Sequence, residues 1–477
     1  MARINHSPSI ELNQKPDQFI NIKFSSIEPA TNNYSITKEE NKKTDIIPNQ
    51  AGESTTHGKK WTEQITSKLF FILFCLHVFL ISVLISFLTI CSFVSHSSSN
   101  HLFHPLHWYV PLLSSTASSA IAAFLWLLCT RCNPSRTIKI SFWLSPSLTF
   151  AAGILLIAIG TAGSLAAAVA AIIFALIQSL YACWVFPRID HTSKILSISH
   201  AIPTSGTTKF IALSILVGIA YSALIVSGLG GAIAGTGSLS LSVLFVLAML
   251  LSLVWTMNVI RNISHVSISR SGYLYFAHGI EFGIFEAYHD TIKHRIGNVC
   301  LGSAIAPVLG IISSSARAIS LVGGDTDEFL CSCANCYAGV AARLVAHGNR
   351  WGFVHVGVYN KGFVRASTDT WEMIGQAGLE SVIDSDLTGS FCFLCGVAAG
   401  AACTLVSGSW ALAMESSYAT EVSIYASLIG YFMSRISMAS PQACVSAYYV
   451  AYAENPQSLR FDSTIPDRIR ELQCSRA

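Results

Sequence analysis

The chain has 477 residues, of which 52% are hydrophobic and 12% are charged, and its formal net charge is +3. Soluble domains carry about 25% charged residues, so this composition excludes an ordinary soluble protein and indicates a membrane protein. The basic residues are scattered along the chain, which argues against a nucleic-acid-binding surface.

The first 68 residues differ sharply from the rest of the chain. They are rich in Asn, Ser, Thr and charged residues and contain no apolar run. Such a segment cannot bury enough apolar surface to fold, so 1–68 is predicted to be a disordered tail. It also lacks the apolar core of a signal peptide, so the first membrane span is expected to direct insertion.

Nine apolar runs reach the length of about 20 residues that a helix needs to cross the hydrocarbon core. They lie at roughly 69–91, 109–129, 142–162, 164–186, 210–229, 239–260, 296–316, 391–411 and 423–450. Each is predicted to be helical, because lipid offers no hydrogen-bond partner to the backbone N–H and C=O groups, and a helix pairs them internally. The predicted fold class is therefore all-α, a polytopic bundle of membrane helices, and no internal repeat is visible.

Lys and Arg residues lie in alternate connections between these runs. The connections at 131–139, 187–209 and 261–295 are basic, whereas the connections between them contain neither Lys nor Arg. By the positive-inside rule, this alternation predicts that the N-terminal tail lies in the cytosol. The C-terminal tail, 453–477, contains Arg460, Arg468 and Arg470 and is expected on the same side.

Two cytosolic ends require an even number of crossings, and nine is odd. A tenth crossing at about 337–358 would complete a transmembrane domain over 69–452. This segment carries polar and charged residues, namely Arg343, His347, Asn349, Arg350 and His355. Because charges at mid-membrane are costly, such a helix must face protein or water. Two alternatives stay open: 337–358 could be re-entrant or lie flat, and 273–290 could cross instead, although Glu281 and Glu286 favour an interfacial position there.

Several patches of the sequence together resemble the choline transporter-like family. They are WTMNVIRNISHVSIS at 255–269, NVCLGSAIAP at 298–307, AHGN at 346–349, SRIS at 434–437 and CVSAYYVAYAENP at 444–456. In this order they are similar to the short, plant-type branch over about residues 240–470. The resemblance implies ten spans with cytosolic ends. It also implies facilitated transport or exchange of choline or a related organic cation, in the plasma membrane or in an internal membrane.

A choline carrier needs aromatic rings, because choline has a permanent charge spread over methyl groups, and a desolvated cation–π contact is worth about 2 kcal/mol or more. It also needs a polar partner for the hydroxyl group. Trp255, Asn258 and Asn262 lie on one helical face, because they are three, four and seven residues apart. Asn298 and Ser303 could face them from the next span. These five residues form the candidate substrate site, and the alternative is that they only pack helices together.

Arg435 lies well inside the last apolar run, among serines. An isolated arginine is costly there, so it is expected to pair with a carboxylate or with helix-end carbonyls. Together with Arg350 it is assigned as a gating or buried charge. It would repel a bound cation, so a substrate in direct contact with it would be anionic or a lipid phosphate.

No catalytic constellation is visible, so an enzyme is not expected and no cofactor is predicted. Cys331, Cys333 and Cys336 with His347 offer four ligands of the kind that zinc prefers. Reduced or lipidated cysteines near a membrane face are the favoured interpretation, so no metal is predicted. The expected partners are the organic cation and the lipid bilayer, and the oligomeric state is left open.

The alternative to a carrier is a non-transporting membrane scaffold for lipid organisation or trafficking, working through its polar tail. Deleting residues 1–60 separates these two functions. A carrier should keep choline uptake into reconstituted vesicles near that of the full chain, because its spans remain. Scaffolding should not survive the same deletion, because the polar tail would be its working part.

Overall fold

The computed structural model describes residues 57–96, 105–200, 206–235, 239–323, 328–414 and 418–474, all within one compact unit, Ala51–Ala477. These residues form helices joined by short connections. In chain order the helices are α1 (His57–His96), α2 (Pro105–Cys132), α3 (Pro134–Ile159), α4 (Ala162–Val185), α5 (Ile189–His200), α6 (Thr207–Gly235), α7 (Leu239–His278), α8 (Ile284–Asp290), α9 (Ile296–Gly323), α10 (Glu328–Ala346), α11 (Gly352–Tyr359), α12 (Phe363–Gln376), α13 (Glu380–Ser385), α14 (Thr388–Ala413), α15 (Ala419–Ser437), α16 (Ala439–Glu454) and α17 (Thr464–Cys474). The predicted all-α class is confirmed.

Eight helical segments of the described chain are long and apolar enough to cross a membrane. They are Trp61–Ile90, Tyr109–Cys132, Pro134–Ile159, Ala162–Ile198, Thr207–Ala232, Leu241–His278, Ile284–Ser313 and Glu380–Ala413. Each overlaps one of the first eight apolar runs of the sequence. The prediction of a polytopic membrane helix bundle is therefore confirmed, and the cytosolic position of both ends stays a prediction.

The two predicted tails are described only in part. Residues 1–56 lie outside the described residues, so the disordered tail predicted over 1–68 stays a prediction there, and 57–68 belong to α1. In the C-terminal tail, Thr464–Cys474 form the short helix α17.

The ninth apolar run, 423–450, is two helices rather than the single span that was predicted. α15 ends at Ser437 and α16 begins at Ala439, with Met438 between them at φ −76° and ψ −1°. Pro441 explains the interruption, because it has no N–H to bond the carbonyl of Ser437. Pro441 lies in the first turn of α16, where a backbone N–H would have no acceptor within the helix. The missing N–H of proline therefore costs α16 no hydrogen bond.

α7 is longer than the predicted span at 239–260. It has 40 residues, or about 60 Å at 1.5 Å per residue, about twice the thickness of the hydrocarbon core. Arg261 and Arg270 were assigned to a basic connection, but both lie within this helix. The helix continues because its polar second half is covered by protein: Asn262, His265 and the serines beyond are buried.

The predicted tenth crossing, 337–358, is a broken helix. α10 ends at Ala346, a short turn follows, and α11 begins at Gly352. Asn349 holds the break, because its side chain accepts a hydrogen bond from Gly352 N at 3.0 Å and donates one to the Ser367 carbonyl at 3.0 Å. Every residue from Gly352 to Val358 is buried, whereas Arg343 and His347 are exposed. The second half of the segment thus faces protein, as its polar residues require.

The alternative crossing at 273–290 does not form a continuous helix. α7 ends at His278, Gly279 has a left-handed φ of 69°, and α8 begins at Ile284. Beyond the turn, Asp290 pairs with Arg270 and Arg295 and so ties this segment back to α7. The chain reverses within the stretch.

Close helix packing in the bundle depends on glycines. α7 packs against α6, α9, α11 and α16, and α14 packs against α2, α3 and α15. Between α14 and α15, a methyl group added at Gly430 would lie 2.7 Å from the Ala399 carbonyl oxygen. One added at Gly400 would lie 2.7 Å from the Ser427 oxygen. The two helices approach this closely because these positions have no side chain.

Gly430→Ala should therefore destabilise the protein by about 1–3 kcal/mol, because the added methyl group forces α14 and α15 apart. Gly310→Ala is the matched control, since nothing lies within 4 Å of a methyl group there. Thermal unfolding in detergent should show a Tm several degrees lower for Gly430→Ala only. Equal Tm values for the two variants would contradict the close packing.

Candidate functional site

The predicted polar and aromatic face of α7 meets α9. Asn262 Nδ2 donates a hydrogen bond to Ser303 Oγ at 2.9 Å, and both residues are buried. Trp255 Nε1 donates to the Cys300 carbonyl at 3.3 Å. Three of the five predicted site residues, Trp255, Asn262 and Ser303, are thus brought together where α7 and α9 pack.

The Trp255 ring also meets aromatic side chains of α1. Its centroid lies 4.8 Å from that of His77 and 5.4 Å from that of Phe74, the latter in an edge-to-face arrangement. Trp255 itself is half-buried. Three helices therefore supply aromatic surface and polar groups at one place.

The other two predicted site residues bond elsewhere. Asn258 Nδ2 donates to the Val254 carbonyl of its own helix at 2.9 Å. Asn298 Nδ2 donates to the Lys361 carbonyl at 3.5 Å, which links α9 to the connection between α11 and α12. Both residues are buried, but neither bonds to the Trp255 face.

A cluster of three arginines lies in the middle of the bundle. Arg350 and Arg435 were predicted as buried charges, and both side chains lie against α14, where methyl groups added at Gly389 and Gly396 would meet them. The structure adds Arg261 of α7. Arg261 also donates a hydrogen bond to the Gln442 side chain. Sequence reasoning missed Arg261 because it placed the end of the span one residue before it.

The expectation that Arg435 pairs with a carboxylate is wrong for the described residues. No described carboxylate lies within ion-pair distance of it, and its guanidinium donates no hydrogen bond to a described residue. The cluster's acidic partner is Asp386, whose Oδ2 lies 3.5 Å from Arg350 NH2. Arg350 also stacks its guanidinium on the Trp351 ring, 4.5 Å from the centroid.

A second cluster, formed by Tyr273, Tyr359 and Glu454, lies where α7, α11 and α16 end. The Tyr273 hydroxyl donates to Glu454 Oε2 at 2.6 Å, and the Tyr359 hydroxyl donates to Glu454 Oε1. The two tyrosine rings are edge-to-face, with centroids 6.2 Å apart. Burial and the Glu454 carboxylate raise the pKa of Tyr359, so its hydroxyl stays protonated and remains a donor.

Further rings and one ammonium group surround this tyrosine–glutamate cluster. The His278 ring lies 5.9 Å from the Tyr273 ring, and the His355 ring lies 5.1 Å from the Tyr359 ring. Lys361 Nζ lies 5.4 Å from the Tyr359 ring centroid and also pairs with Asp369 at 2.6 Å. A cation thus already rests on the aromatic surface of the cluster.

Sequence reasoning did not find the tyrosine–glutamate cluster, because its members are far apart in the chain. Tyr273 and Glu454 are 181 residues apart, and Tyr359 and Glu454 are 95 apart. The available signal was the ENP ending of CVSAYYVAYAENP, where an acidic residue closes the last helix.

Among the described residues, no group of three or more His, Cys, Asp or Glu side chains could hold a metal ion. Of the proposed zinc ligands, the Cys331 and Cys333 side chains lie outside the described residues, and Cys336 is exposed.

The sequence matches a family model described as "Plasma-membrane choline transporter" over residues 169–457, which is more than half of the chain. All members of the arginine and tyrosine–glutamate clusters lie within this range.

Curated relatives match at low identity. Protein PNS1 of Mycosarcoma maydis is 23% identical over 246 residues, 48% of this chain and 46% of that protein. Protein PNS1 of Debaryomyces hansenii is 22% identical over 341 residues, 64% of this chain and 65% of that protein. The chain spans less than half the length of the Mycosarcoma maydis protein. The family match, together with eight helices able to cross a membrane among the described residues, places the chain in the choline transporter-like family of membrane transporters.

Proposed function

We propose that the protein carries choline or a related organic cation across a membrane, by facilitated transport or exchange. The family description favours the plasma membrane as its location. The observation that carries the proposal is the tyrosine–glutamate cluster, where one exposed carboxylate accepts hydrogen bonds from two tyrosine hydroxyl groups whose rings pack edge-to-face. No enzymatic step is part of this function.

The chemistry of this cluster suits a quaternary ammonium ion. Such an ion has no N–H to donate, so its binding depends on aromatic faces and on a nearby negative charge. Tyr359 supplies a half-buried ring, the fully buried Tyr273 ring packs against it, and the hydroxyl groups of both orient the Glu454 carboxylate. Glu454 is exposed, so a cation reaches it from outside the bundle.

Lys361 marks the position that a substrate cation would occupy. Its ammonium group lies on the Tyr359 ring and is also held by Asp369. If a substrate cation displaces Lys361 from the Tyr359 ring, Lys361 stays paired with Asp369. The displacement therefore leaves no unpaired charge.

The five residues Trp255, Asn258, Asn262, Asn298 and Ser303 are proposed to line a second part of the path. Trp255 and Tyr273 are 18 residues apart on α7, or about 27 Å, so one choline cannot contact both. The hydrogen bond between Asn298 and the Lys361 carbonyl connects the two regions.

Arg350 and Arg435 are proposed to act as an electrostatic barrier between these regions. A cation would be repelled by their charges and would not rest beside them. The arginine cluster therefore separates the two cation contacts instead of belonging to either.

Uptake of radiolabelled choline into vesicles that contain the purified protein tests this function. Wild-type protein should show saturable uptake. Glu454→Gln should raise the choline concentration for half-maximal uptake at least tenfold, because it removes the negative charge while keeping the size of the side chain.

Glu471→Gln is the matched control for Glu454→Gln. Its carboxylate is 64% exposed on α17 and pairs with Arg468, away from the tyrosine–glutamate cluster, so uptake should stay at the wild-type level. The absence of saturable uptake by folded wild-type protein would refute the proposal. Identical uptake kinetics for Glu454→Gln and Glu471→Gln would show that the tyrosine–glutamate cluster does not bind the transported cation.

A further inference from the structure

The arginine cluster carries more positive charge than the protein around it balances. Arg261 comes from α7, Arg350 precedes α11, and Arg435 lies in α15. Among the described residues, the one carboxylate contact of these guanidinium groups is that of Asp386 with Arg350. Three positive charges against one negative charge leave an excess of two.

Several hydrogen-bonding groups in this cluster have no partner. Arg435 NH1, Arg261 Nε and the Tyr449 hydroxyl are buried, and none of them bonds to a described group. The Tyr449 ring packs edge-to-face on Trp351, beside Arg350, so its hydroxyl belongs to the same region. Unpaired buried donors are rare in folded proteins, and each of them calls for an explanation.

An unbalanced buried charge is also unfavourable by itself. Removing a guanidinium group from water is costly unless an opposite charge compensates it. Asp386 does not serve this purpose for Arg435, because it faces Arg350 and accepts two hydrogen bonds from Thr388. A negatively charged ligand would supply both the missing acceptors and the missing charge.

We propose that Arg261, Arg350 and Arg435, with the Tyr449 hydroxyl, form a binding site for a phosphate-class oxyanion, distinct from the cation sites.

Phosphate fits this site better than chloride for two reasons. The planar fork of a guanidinium group matches two oxygens of one phosphate, which a spherical ion cannot offer. A phosphate group can also carry two negative charges, which equals the excess. The Arg350 side chain is 30% exposed, so the cluster is open on one side.

This chemistry has two sources, free inorganic phosphate and the phosphate of a lipid headgroup. Both present the same oxygens to the guanidinium groups, and they differ in whether the ligand arrives from water or from the bilayer. The experiment therefore includes a separate measurement for each.

Binding of radiolabelled orthophosphate to the purified full-length protein, at constant ionic strength, tests the site without any transport step. Wild-type protein should bind about one phosphate per chain. Its Tm should rise with phosphate concentration, because a ligand that binds only the folded state stabilises it. Retention of phosphatidic acid over phosphatidylcholine, measured by native mass spectrometry, tests the lipid source.

Arg435→Gln should weaken phosphate or phosphatidic acid binding at least tenfold and abolish the dependence of Tm on the anion. Arg343→Gln is the control, because Arg343 is exposed on α10, and it should bind like wild type. If Arg435→Gln does not fold, Arg261→Gln is measured with the same expectation.

Binding of either phosphate source that is lost in Arg435→Gln would support the site and would identify the source. A wild-type protein that binds neither, or that responds only to chloride, would overturn the proposal. So would equal binding by Arg435→Gln and Arg343→Gln. A failure of choline uptake leaves this test unaffected, because binding is measured directly.

Discussion

The polar second half of α7 must be covered by other helices, and the rest of the bundle is arranged around this requirement. The hydrocarbon core offers no water to an amide or a guanidinium group, so such groups depend on hydrogen bonds that protein supplies. α9 supplies Ser303 to Asn262, and α16 supplies Gln442 to Arg261. The broken helix formed by α10 and α11 places its buried second half against the same face of α7. Helix breaks and close glycine contacts elsewhere are what allow these partners to approach.

This arrangement distributes three kinds of chemistry along α7. Near its middle, Trp255 joins the aromatic side chains of α1 and the polar groups of α9. About two turns further on, Arg261 enters a cluster of positive charge with Arg350 and Arg435. At its end, Tyr273 meets the carboxylate of Glu454. The proposed cation transport requires cation contacts away from this positive charge, and the helix provides the separation by its length.

The sequence predicts the spans well and the contacts between them poorly, for physical reasons that differ by position. Apolar runs identify eight spans because lipid-facing side chains must be apolar whatever they pack against. Hydropathy alone ends the predicted span at residue 260, although α7 continues. The polar residues beyond 260 pack against other helices, and hydropathy carries no information about that packing. Pro441 offered a local signal for the break between α15 and α16. The hydrogen bond between Arg261 and Gln442 and the tyrosine–glutamate cluster join residues distant in sequence, so no local pattern predicts them.

The account depends most on the burial of the polar face of α7 against α9, and a disulfide cross-link tests this directly. In a cysteine-free background, Asn262→Cys with Ser303→Cys should oxidise to an intramolecular disulfide, detected by mass spectrometry of the digested protein. Asn262→Cys with Val308→Cys should not, because Val308 is 56% exposed on another part of α9. Cross-linking of the first pair alone is the predicted result. No cross-link in the first pair, or equal cross-linking in both, would contradict the account.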